Sequence, residues 1–79
     1  MKKGYYKHYK GGIYKVIGTA IHTEDEAKLV IYIDTKGNTW ARPIDMWNEK
    51  VNGIVRFTKL SDREGLMQFR FHQLANENK

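Results

Sequence analysis

Apolar positions recur every second residue through most of this chain, in runs too short for helices and broken by glycine, asparagine or proline. Residues 3–9 alternate tyrosine with basic residues and read as a short strand or extended arm. Gly11-Gly12 then suits a tight turn. From Ile13 to His22 runs a long strand, with Ile13, Ile17 and Ile21 on one parity and Tyr14, Val16 and Ala20 on the other. Apolar groups of both parities predict a strand that is covered on both faces or bends, and Gly18 is the candidate bulge. Thr23 and Glu26 have capping-box spacing, which predicts a single helical turn after the strand.

Lys28 to Asp34 contains the most apolar run, Leu29-Val30-Ile31-Tyr32-Ile33, and is the expected central strand. A turn at residues 35–38 leads into a strand from Thr39 to Arg42, which Pro43 ends. Ile44 to Trp47 fits one helical turn. Asn52-Gly53 is a strong hairpin signal between Lys50-Val51 and a strand from Ile54 to Leu60. The tail from Ser61 reads two ways. As a strand, Met67, Phe69 and Phe71 share a face; as a helix, Ser61 and Glu64 form a capping box. The helical apolar positions are spread around the wheel, so the pattern favours a strand. Residues 76–79 are expected to fray. The fold class is therefore mostly β: a small antiparallel SH3-like barrel or strongly bent sheet of five to six strands, in one domain.

Composition narrows the function. The chain has 79 residues, of which 13% are aromatic and none is cysteine. Disulfides and thiolate metal sites are excluded, and the expected location is the cytoplasm. No run reaches the ~18 apolar residues of a membrane helix, so no membrane partner is expected. The net charge is +5. Residues 1–23 carry five lysines and no acid, whereas residues 24–79 carry nine bases and nine acids. The whole excess lies in the first third, where it solubilises an edge or faces anions.

Catalytic constellations are absent from the pattern. Ser61 is the only serine and sits outside any nucleophile elbow, and no glycine-rich phosphate loop is present. His8, His22 and His72 do not have metal-ligand spacing. No enzyme activity, metal or cofactor is expected. Binding has more support. Tyr6, His8 and Lys10 fall on one face of the N-terminal arm, combining rings with positive charge. His22 and Glu24 share a face at a strand end, where a carboxylate orients an imidazole or merely sits in a solvated loop. Trp40 and Arg42 share a strand face, with Arg42 free to fork onto an anion or to pair with Asp34 or Asp45.

These residues resemble a known family. Gly4-x-Tyr6-Lys7-His8-Tyr9-Lys10-Gly11, Tyr14-Lys15-Val16, Ala20-x-His22-Thr23-Glu24, Leu29-Val30-Ile31-Tyr32, Trp40-Ala41-Arg42-Pro43-x-x-Met46-Trp47 and Val55-Arg56-Phe57 are similar to the domain of unknown function 1653 family of small bacterial and phage proteins. The resemblance runs from about Gly4 to Phe57. It makes residues 4–60 the family-like core and residues 61–79 a C-terminal extension. Asp34-Thr35-Lys36-Gly37 stands where the family usually has an aromatic step before the tryptophan. The resemblance implies a compact β fold and points to no particular activity.

The expected function is a non-enzymatic binding module for an anionic, ring-bearing partner: a nucleotide, a nucleotide-derived signal or nucleic acid. Its candidate ligand-binding residues are Tyr6, His8, Lys10, His22, Glu24, Tyr32, Trp40 and Arg42. The alternative is a protein-interaction module, such as a phage protein that masks a host protein. A homodimer is a further expectation, should the tail expose an aromatic face.

Overall fold

A computed structural model describes residues 1–77. Strands β1 (Gly4–His8), β2 (Ile13–Ile21), β3 (Lys28–Ile33) and β4 (Thr39–Pro43) are followed by the one-turn helix α1 (Ile44–Trp47). The short hairpin β5 (Lys50–Val51) and β6 (Ile54–Val55), strand β7 (Phe57–Lys59) and helix α2 (Asp62–Glu77) complete the chain. Five strands form one antiparallel sheet in the order β4-β3-β2-β1-β7, while β5 and β6 make a separate two-stranded sheet. The main sheet is strongly bent and open. The middle strand is β2, with β3 beside it, although β3 is the more apolar.

Local signals explain the turns and bends. Gly11 adopts φ +106° and donates to the His8 carbonyl, closing the β1–β2 turn. The pairing of β2 with β3 slips between Val16 and Gly18, the bulge that Gly18 predicted, and the strand bends there. Asn52 and Gly53 both have positive φ, as the hairpin signal requires. Residues 54–60 do not form one strand. The chain breaks at Arg56, so β6 stays with its hairpin and β7 crosses to β1. Thr23 to Glu26 makes a turn rather than a helical cap. Glu26 donates to the His22 carbonyl and takes φ +58°.

The concave face holds the core. Val16 and Val30 are almost wholly buried, flanked by Tyr6, Tyr32 and Phe57. Helix α1 lowers Trp47 into the bend. Its ring stacks on Phe57 with centroids 3.7 Å apart and planes within 4°, and it meets Tyr6 and Tyr32 edge-on. The loop that carries Trp47 thereby packs against Phe57 of one edge strand, and Arg42 on β4, the opposite edge, lies 5.8 Å from the Phe57 ring centroid.

The tail is a helix, not the strand that the pattern favoured. Ser61 Oγ accepts from the Glu64 N–H at 3.2 Å, so the alternative cap forms. The helix packs on the convex face, where Phe69 meets Tyr5 at 5.6 Å. Its sheet-facing side contains only one large apolar residue, Phe69, alongside Gly65. That is why the apolar positions looked scattered. Asn76 donates to Thr35 Oγ1, and helix continues through residue 77, so 76 and 77 do not fray. The expectation for 78 and 79 lies outside the described residues. No helix among the described residues is long and apolar enough to cross a membrane.

Gly65 sets the helix–sheet distance. A Cβ at this position would lie 2.2 Å from Tyr5 Cβ. Gly65→Ala should therefore destabilise by about 2 kcal/mol through overpacking, although alanine is the better helix former. The melting temperature should fall by roughly 10 °C. An unchanged or higher value in a thermal melt followed by circular dichroism would contradict this packing.

Candidate functional site

The bend in the sheet leaves a cleft of about 260 Å³ on the concave side, lined by Tyr14, Tyr32, Asp34, Trp40 and Arg42. Strand register builds it. Tyr32 pairs with Trp40, and Val30 pairs with Arg42, so Trp40 and Arg42 rise on the core side of edge strand β4. Tyr14 comes from β2 and meets Tyr32 edge-on at 5.5 Å. Trp40 is half exposed, and its indole N–H donates to Asp34 Oδ2 at 2.7 Å. That bond fixes the ring as one wall. The remaining acceptor positions of Asp34 are taken by the N–H groups of Lys36 and Asn38 and by the Asn38 side chain. Burial pushes the Asp34 carboxyl upward, and these hydrogen bonds outweigh it, led by the one from Trp40, holding the group below its ordinary range.

Arg42 is the unusual member. Its guanidinium lies over the Phe57 ring, and its Nη1 is buried without a hydrogen-bond partner. Neither Asp34 nor Asp45 pairs with it among the described residues. A second guanidinium atom, Arg56 Nε, is buried and unpartnered too. Arg56 meets only Glu49, at a long 3.8 Å. Both cations act on His8, which packs edge-on against Phe57 at 4.9 Å. Burial lowers the His8 pKa first, and Arg56, Arg42 and Lys10 lower it further. The Lys10 backbone N–H donates to His8 Nδ1, which puts the proton of the neutral ring on Nε2. Tyr14 is raised by burial and by the neighbouring Tyr32 and Asp34, with Arg42 opposing.

The eight predicted residues do not form one constellation. Tyr32, Trp40 and Arg42 share the cleft, and His8 joins them through Phe57. Lys10 stays exposed at the β1–β2 turn, with its ammonium 5.7 Å from the Tyr9 ring centroid. Tyr6 belongs to the core, edge-on to Trp47, and its hydroxyl donates to the Lys2 carbonyl. His22 and Glu24 lie at the far end of β2, nine residues long, and are exposed. There His22 Nδ1 accepts from the Glu24 N–H and sits 3.4 Å from Asp25, so the imidazole organises a turn. Sequence reasoning missed Arg56, Asp34 and the ring pair of Trp47 and Phe57 as parts of the site. Only the Asp34-to-Trp40 spacing across a hairpin turn carried a signal. Among the described residues no three His, Asp or Glu side chains gather as a metal site would require.

The lowered His8 pKa has a thermodynamic sign. The unfolded chain takes up the proton near pH 6.5, before the folded protein does. His8 therefore contributes full stability above about pH 6.5, and that contribution is lost as pH falls below it. Urea unfolding at pH 7 and pH 5 should show a loss that His8→Asn reduces; an equal loss in the variant would contradict the placement of His8 beside two cations.

The Protein of unknown function (DUF1653) family model matches residues 4–72, and so reaches into α2. A crystal structure of a DUF1653 protein from Bordetella bronchiseptica is similar, with a TM-score of 0.70 and 28% identity, over 77% of this chain and 88% of that one. No curated protein matches the chain. A family model spanning most of the sequence, and a related structure that shares the fold, place this chain in the DUF1653 family.

Proposed function

We propose that the concave cleft binds a small anion that carries a planar ring, a nucleotide or nucleotide-derived molecule being the class that supplies both. The observation that carries this reading is Arg42, whose Nη1 is buried with no acceptor in a cleft walled by aromatic rings. Leaving a buried donor unpaired costs about 1–3 kcal/mol. A ligand oxygen, reached by a small shift of the side chain, offsets that cost with a charge-assisted bond. The half-exposed Trp40 ring, held by Asp34, offers a stacking surface beside the cation. Arg56, which together with Arg42 acts on His8, adds positive charge near the cleft. The Asp34 carboxylate opposes an anion at its own end of the cleft, so the charged group belongs at Arg42 and the ring at Trp40.

A protein-interaction role is the second reading. It rests on Ile54 and Val55, each about half exposed, at a groove of about 360 Å³ with His8, Tyr9 and Leu60.

Nucleoside monophosphates and short oligonucleotides, titrated at low salt, should shift the amide resonances of Tyr14, Trp40, Arg42 and Phe57. Arg42→Met should abolish those shifts. The same variant should be about 1 kcal/mol more stable than the parent, because a buried guanidinium nitrogen without a partner has gone. Absence of shifts with every probe, or shifts that survive Arg42→Met, would overturn the assignment. Affinity that falls steeply with salt for oligonucleotides alone would single out nucleic acid.

A further inference from the structure

Helix α2 is apolar on two opposite sides. Phe69 and Gly65 are buried against the sheet. Phe71 follows Phe69 by two residues, about 200° around the helix, and is 70% exposed. Met67, Phe71 and Leu74 recur at i, i+4 and i+7 and form one outward stripe, with Leu66 on its shoulder. A helix that needed only to cover the sheet would carry polar residues there.

We propose that this outer face of α2 packs on the same face of a second copy of this chain, forming a two-fold symmetric dimer. The area suits that occupant. Four side chains of this size, each half exposed or more, offer roughly 400–500 Å² of apolar surface. Burying it on both copies removes roughly 800–1,000 Å² in total, the range of a weak interface at the lower limit of a specific one. Charge permits it. Residues 62–77 carry three acids and two arginines, and the excess of positive charge lies in residues 1–23. The small core gives a reason for it, since only eight hydrophobic side chains are buried among the described residues. The dimer leaves the concave cleft free, because α2 packs on the convex side.

Arg70 is exposed and lies between Leu66 and Leu74 on the helix wheel. In the pair its stem lies along the interface and its guanidinium turns to the rim. Two copies of Arg70 brought close together repel, so the dimer is of moderate strength, and the arginine weakens it.

Sedimentation equilibrium of the full chain, from ~10 µM to ~1 mM, should show a mass that rises from 9.3 kDa toward twice that value. Phe71→Glu and Leu74→Glu should each hold the chain as a monomer whose melt matches that of the parent at dilutions where the parent is monomeric, since neither side chain belongs to the core. Arg70→Leu should tighten the dimer about tenfold. Amide shifts on dilution should concentrate at residues 66, 67, 71 and 74. A parent chain that stays monomeric at ~1 mM would overturn the proposal. So would a dimer that survives Phe71→Glu, which would locate the contact on another surface.

Discussion

The stack of Trp47 on Phe57 is the contact on which the rest of this structure depends. One ring comes from a four-residue helix and the other from a three-residue strand. Neither element is stable alone, since a single helical turn and a short edge strand fix backbone for few hydrogen bonds. Together they fill the hollow of a five-stranded sheet. Tyr6 and Tyr32 meet Trp47 edge-on, while Tyr14 and His8 meet Phe57 in the same way. Six rings are thus tied to two valines that exclude almost all solvent. A domain with so little interior draws much of its stability from large aromatic surfaces.

The same packing creates the cleft. Because the sheet bends around Trp47, Arg42 on one edge reaches Phe57 on the other. The guanidinium gains the face of a ring and gives up full hydration. No carboxylate compensates it among the described residues. Asp34, the nearby acid within the cleft, is committed to holding Trp40 and the β3–β4 turn. This division of labour, with the acid as a brace and the base left free, gives the cleft a positive end and an aromatic wall. A structural ion pair of Arg42 with Asp34 would have produced a similar fold without that polarity.

Most strands were legible because alternation is a strong signal, and Gly18, Gly11 and Asn52-Gly53 marked the bend and turns through their backbone freedom. Helix α2 was not, because its apolar residues serve two surfaces, and their periodicity blurs when both are read as one. The central strand was misplaced for a related reason: the apolar run in residues 29–33 reports burial, while position in the sheet depends on pairing partners far along the chain. Half of the site was legible. Trp40 and Arg42 sit two residues apart on a strand and must share a face. His22 and Glu24 also share a local neighbourhood, yet they lie in the turn beyond the end of β2, away from Tyr14 at its start, a placement that residue type cannot reveal. Arg56 gave no signal, since its role arises only when the chain breaks between β6 and β7.

Trp47, clamped on Phe57, holds both edges of the sheet in place. Amide hydrogen exchange of Trp47→Leu, compared with the parent chain, measures this hold strand by strand. Protection in β4 and β7 should fall together, with β2 and β3 retaining the most. Loss confined to β7, or undiminished protection in both edges, would show that the bend persists without the stack.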